Sequence, residues 1–238
     1  MDYSFYAFLS ITLFACVHLL AEKTRVLDSL VHGRFLSTGS GVAIAYVFID
    51  LLPKLEKNHA LLKTSWIGGI PYFEKHVYVL ALLGFLLFYT VDRSGQMVKN
   101  RTTFFYISLS SYTLFNFLMG YAVADPFNPE VRPLALFTFA IALHYFANDY
   151  TLSLKHGTAY HAFGKWVLAA SLYLGWIVGY VSNLPANVIA LVSAFIGGGV
   201  IMNVMLHELL EEKLNSSGTF LIACISYTLL LLFIGTSS

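Results

Sequence analysis

The chain has 238 residues, 58% hydrophobic and only 11% charged, with a net charge of +1. Soluble domains carry roughly 25% charged residues, so this composition, with a mean hydropathy of +0.71, excludes a soluble globular domain and assigns the chain to a bilayer. The near-neutral balance also excludes a nucleic-acid partner, which needs a concentrated basic face.

Apolar stretches of about 17–25 residues read as transmembrane helices. Eight are expected, at about 4–21, 36–53, 74–92, 104–124, 134–154, 164–182, 187–208 and 219–235. The start Met1-Asp2-Tyr3-Ser4 has no basic n-region, so the first stretch is expected to be a retained span. The sizeable loop, 54–73, holds Gly68-Gly69 and Pro71. No segment is large enough for a soluble domain, so residues 1–238 are read as a single all-α membrane domain. Cys16 and Cys224 lie inside apolar stretches and make no disulfide pattern.

Lys and Arg in short loops set the orientation. The loops after the odd spans carry nine: Lys23, Arg25, Arg34, Arg93, Lys99, Arg101, Lys155, Lys165 and Lys213. The other side carries five: Lys54, Lys57, Lys63, Lys75 and Arg132. The odd loops are therefore expected in the cytoplasm, and both termini outside.

One segment recurs. Gly39–Glu56 (GSGVAIAYVFIDLLPKLE) returns as Gly197–Leu214 (GGGVIMNVMLHELLEEKL) at a constant offset of 158. Gly39, Gly41, Val42, Leu51 and Leu52 reappear as Gly197, Gly199, Val200, Leu209 and Leu210, and Asp50 reappears as Glu208. The copies lie in spans two and seven, which run in opposite directions under this topology. The repeat is thus inverted, as in many alternating-access transporters. Units of about 1–95 and 160–238 would flank a central pair, about 104–154. Asp50 would lie at the outer mouth and Glu208 at the inner one.

Sites in inverted-repeat transporters form where the units meet, which directs attention to spans four and five. In span four, Tyr112, Thr113 and Asn116 stand at i, i+1 and i+4 on one helical face. In span five, His144 and Asn148 share a face, and Asp149 follows one residue later. An unpaired charge at bilayer depth costs roughly 2.5–3.5 kcal/mol, so Asp149 needs a partner, water or an ion. Imidazole nitrogen with carboxylate and amide oxygen suits a borderline divalent cation such as zinc, iron or manganese. Serine, threonine and asparagine on span four also suit ordinary bonding across helices.

The chain resembles the ZIP (Zrt/Irt-like) metal-ion transporters. FIDLLPKLE of span two and HELLEE of span seven are similar to the family's acidic or histidine residue followed by Leu-Leu-Pro-Glu. SLSSYTLFNFLMGYAVA resembles the fourth-span pattern His-Ser/Asn-x-x-Glu/Asp-Gly, and ALHYFAND the fifth-span pattern His-x-x-Pro-Glu. The resemblance implies eight spans, both termini outside, inverted three-span units about a central pair, and a homodimer. Tyr112, Thr113 and Asn116 stand at the family's fourth-span ligand positions. His144 keeps the fifth-span His, while Ala147 and Asn148 replace its Pro and Glu. The loop 93–103 lacks the family's His-rich tract.

Other polar residues have blander accounts beside functional ones. His207 and Glu211 stand at i, i+4 beside Glu208, a chelating spacing at the inner end of span seven that also fits a solvated helix end. His156 and His161 fit a plain polar loop, and His18 a packed core histidine. His59 and His76 flank the outer loop among lysines, which argues against a cation collector there. Trp66, Trp166 and Trp176 fit interfacial belts, and Gly197-Gly198-Gly199 fits close helix contact.

The expected function is alternating-access transport of a divalent metal ion, zinc favoured, in a plasma or bacterial inner membrane. Asp50 would serve the entrance, and His144, Asn148, Asp149, Asn116, Tyr112 and Thr113 the centre. His207, Glu208 and Glu211 would line the exit. No resident cofactor and no catalysis are expected; the partners are lipid and the carried ion. A membrane hydrolase would need at least three ligands converging on one membrane face, and Asp149 and His207 lie too far apart along the normal. The alternative is a ZIP-like protein with a degenerate site that carries another solute or serves as a membrane interaction protein.

Overall fold

A computed structural model describes residues 3–20, 29–54, 56, 76–124, 131–182, 186–210 and 216–235. All regular structure among them is helical. The helices are α1 (Tyr3–Leu20), α2 (Ser29–Tyr46), α3 (His76–Met97), α4 (Arg101–Val123), α5 (Val131–Ala159), α6 (Lys165–Ser182), α7 (Ala186–Leu210) and α8 (Ser217–Gly235). α2 runs on through a wider, π-type turn at Val47–Leu51, and a second such turn, Tyr160–Gly164, links α5 to α6.

Among the described residues, which are helical, six stretches are long and apolar enough to cross a membrane, as in a multi-pass membrane protein. One of them, Pro133–Ser182, has 50 residues, about 75 Å at ~1.5 Å per residue, against a hydrocarbon core of ~30 Å. It is broken by Gly157, whose φ of +50° lies in the left-handed region that disfavours any residue with a Cβ. α4 is not among the six. Its serines, Tyr112, Thr113 and Asn116 lower its hydropathy, and Ser108, Ser111, Phe115, Asn116 and Met119 are buried by neighbouring helices.

Burial sorts the helices. In the stretches containing α2 and α7, 56% of residues are buried, against 22% for α3 and 17% for α8. α3 and α8 therefore stand at the periphery and turn apolar side chains such as Leu82, Leu86, Ile222 and Leu229 outward, as lipid-facing helices do. The strongest packing joins α4 to α6, α3 to α7 and α2 to α8, with α1 against both α5 and α6 and α2 against α5. The core between them holds Ile11, Phe14, Ala43, Phe88, Phe115, Ile141, Leu172 and Val200.

Lipid tails are as apolar as leucine, so close van der Waals contact must hold such helices together. Glycines of the two repeat segments supply it. A Cβ on Gly198 would overlap the carbonyl of Ala81 on α3, and one on Gly41 the carbonyl of Phe220 on α8.

Candidate functional site

Polar contacts link α1 to α5 at two levels. Thr138 Oγ1 donates to Ser10 Oγ at 2.7 Å. Further along, His18 meets Asp149. Both links advance together along the two chains, so α1 and α5 run parallel. His18 is 2% exposed and Asp149 0%.

His18 lies at the centre of the polar network. Its Nδ1 is 2.8 Å from each Asp149 carboxylate oxygen, and its Nε2 is 2.8 Å from Asn116 Oδ1 on α4. Asn116 Nδ2 donates to the Tyr112 carbonyl one turn back, at 2.8 Å, which turns the amide oxygen toward His18. Both ring nitrogens thus face oxygen acceptors, and a ring that donates from both carries two protons. The arrangement is that of an imidazolium paired with a carboxylate.

A third helix end closes the site. Beyond the break at Gly157, the wider turn places Tyr160, 2% exposed, among Phe105, Leu109, Leu152 and Leu168. Its hydroxyl donates to Asp149 Oδ1 at 2.5 Å. Asp149 therefore accepts from two donors while the pair stays neutral overall. This removes the penalty of an isolated buried charge, which a lone carboxylate would carry. The Tyr145 ring lies 4.8 Å from that of His18, and its buried hydroxyl has no hydrogen-bond partner among the described residues.

The residues expected at the centre divide between this network and two neighbours. Asp149 and Asn116 join His18. His144 and Asn148 pair with each other instead, with Asn148 Nδ2 3.0 Å from His144 Nε2; an amide donor there makes Nε2 the acceptor of a neutral ring. Tyr112 donates its hydroxyl to Asn203 Oδ1 on α7 at 3.1 Å. Thr113 is half-buried, and its hydroxyl has no partner among the described residues. Asn148 and Asp149 part company because successive helical residues point about 100° apart.

The outer candidate lies apart from this centre. Asp50 lies in the Val47–Leu51 turn, where Lys54 donates to it at 2.8 Å. For the inner candidates, His207 and Glu208 lie on the backbone of α7, but their side chains, like all of Glu211, fall outside the described residues.

His18 and Tyr160 are the two members of the network that sequence reasoning passed over. A signal for His18 existed: Ser10, Phe14 and His18 stand at i, i+4 and i+8 on one face of α1, and all are buried. Tyr160 had none, because it reads as part of a polar loop.

Among the described residues, no three His, Cys, Asp or Glu side chains form a metal-binding group. An ion at this centre would have His18 nitrogen, Asp149 carboxylate, the Asn116 amide oxygen and the Tyr160 phenol as its donors. Such a mixed N/O set suits a borderline or hard cation and disfavours a thiophilic one. No family model and no curated protein matches this chain, so a functional reading rests on the geometry of that centre.

Proposed function

We infer that this is a ZIP-like membrane transporter that moves a divalent cation by alternating access, with His18, Asn116, Asp149 and Tyr160 as its central site. The carrying observation is the fully buried His18–Asp149 pair, which links α1 to α5 and, through Asn116, to α4. Intramembrane ionisable residues are rare and costly, and are functional by default.

The inverted arrangement, three helices on each side of a central pair with eight crossings in all, is part of this reading. The packing supports it. Exchanging α1 with α6, α2 with α7, α3 with α8 and α4 with α5 turns the α2–α8 contact into α7–α3. The same exchange turns α4–α6 into α5–α1 and α2–α5 into α7–α4, and every one of these pairs is in contact. The paired repeat glycines lie at such contacts, Gly41 against α8 and Gly199 against Phe88 of α3.

The chemistry is exchange, with no covalent step. A cation entering the centre displaces the proton from the imidazolium nitrogen facing it. His18 then offers a lone pair, and Asp149, Asn116 and Tyr160 offer oxygens. The site goes from neutral to a single net positive charge and releases a proton, so transport is coupled to pH. Asp50 serves the outer entrance and the end of α7 the inner exit.

A second reading is favoured by one observation: both nitrogens of His18 already meet protein oxygens. On that reading the pair is a structural or proton-carrying element, and the protein carries another solute or none. Uptake by proteoliposomes separates the two. Zinc, iron(II) or manganese should enter and release protons; His18→Gln should abolish uptake, while His144→Ala retains most of it. Failure of the folded wild-type protein to take up any of the three ions overturns metal transport. Uptake unaffected by His18→Gln overturns the site.

A further inference from the structure

A cavity of about 950 Å³ opens where the end of α3, the link into α4 and the end of α5 come together. Its charges are one-sided. Lys99, Arg101 and Lys155 line it, and no carboxylate is among the described residues that do. That is a local concentration in a chain with 14 basic and 13 acidic residues overall. Lys155 is partly neutralised by Asp92, at 2.9 Å. Lys99 and Arg101 have no carboxylate partner among the described residues.

The cavity also has an aromatic wall. The His156 ring lies 4.9 Å from Phe104 and 5.3 Å from Phe105, and its Nε2 has no hydrogen-bond partner among the described residues. The first amides of α4 are already taken, since the Asn100 side chain accepts from Thr102 N and Thr103 N. An anion here is therefore held chiefly by side chains.

The surroundings point to the source of that anion. Met97 and Tyr106 are exposed on α3 and α4, Phe163 on the turn that follows α5, and Trp166 at the start of α6. Aromatic residues at helix ends mark the level of lipid headgroups, and basic pockets between helix ends bind anionic headgroups. The lysine and arginine bias assigns this end to the cytoplasmic side, where anionic lipid is concentrated. A soluble anion would have no use for the exposed apolar rim.

We propose that this cavity binds the phosphate of an anionic phospholipid, with Lys99 and Arg101 as its principal contacts and the acyl chains lying along the exposed apolar side chains. The inference is independent of what the central site carries.

The test uses the full-length protein in neutral detergent, with lipid retention read by native mass spectrometry. Phosphatidylglycerol should be retained over phosphatidylcholine. The double variant Lys99→Gln/Arg101→Gln should weaken that retention about tenfold or more; both side chains are exposed, so the fold is spared. Arg34→Gln, the loss of one positive charge on the same side but outside the cavity, should leave it unchanged. Inorganic phosphate at millimolar concentration should not displace the lipid. Equal retention of the two lipids, or equal loss in Arg34→Gln, overturns the proposal. Displacement by inorganic phosphate reassigns the cavity to a soluble anion and overturns the lipid.

Discussion

Asp50 and Asp149 each meet a basic nitrogen at 2.8 Å, yet they are different kinds of site. The Asp50 side chain is 24% exposed and its Lys54 partner 37%. They are neighbours one helical turn apart on the same segment. Asp149 and His18 are 0% and 1% exposed, come from separate helices 131 residues apart, and are joined by two further donors or acceptors. The contrast shows that an ion-pair distance alone says little. Solvent and covering partners decide whether a carboxylate is an ornament of a helix end or a constraint on the whole bundle.

The largest break in this comparison is Asp149→Ala. His18 would keep its place with one ring nitrogen unpaired, and the Tyr160 hydroxyl would lose its acceptor. Removing one member of a buried pair costs about 3–5 kcal/mol. Thermal unfolding in detergent should show a marked loss for Asp149→Ala, and metal uptake should vanish. A loss no larger than that of an exposed substitution would mean that the pair does not hold the helices together.

Tyr160→Phe is expected to have an intermediate effect. It deletes one hydroxyl and leaves the His18–Asp149 pair intact. Hydrogen bonds to charged groups contribute about 1.5–3 kcal/mol. Stability should fall within that range while the fold survives. The diagnostic readout is the pH profile of uptake, which should move because a donor to Asp149 is gone. An unchanged profile would make Tyr160 a packing residue.

The sequence made most helices legible because their apolar runs have the length that a bilayer demands. Expected spans 4–21, 104–124 and 219–235 compare with Tyr3–Leu20, Arg101–Val123 and Ser217–Gly235. α5 was harder. Apolarity fades after residue 154, but the helix runs on until the sharp break at Gly157. Asp149 stood out as a charge needing a partner, and Asn116 as an amide on the polar face of α4. Neither disclosed His18, because periodicity tells which face of a helix a residue occupies and not which helix lies opposite. His144 drew attention by sharing a face with Asn148, and the two do pair. Tyr160 was hidden by its loop-like setting, since only the backbone reversal at Gly157 and the wide turn bring it back toward Asp149.

Lys54→Ala should have the smallest effect and sharpens the contrast from the other side. The pair is an i, i+4 contact on one helix, and such exposed pairs contribute about 0.3–0.5 kcal/mol. Both partners lie close to water, so the remaining Asp50 charge stays solvated and no buried penalty appears. Thermal unfolding of Lys54→Ala should stay close to wild type. Any effect of Lys54→Ala should instead fall on apparent cation affinity, since removing a positive charge beside Asp50 raises local attraction for a cation. A large loss of stability would mean that the 2.8 Å contact is as structural as the one at Asp149, and the distinction between the two carboxylates would fail.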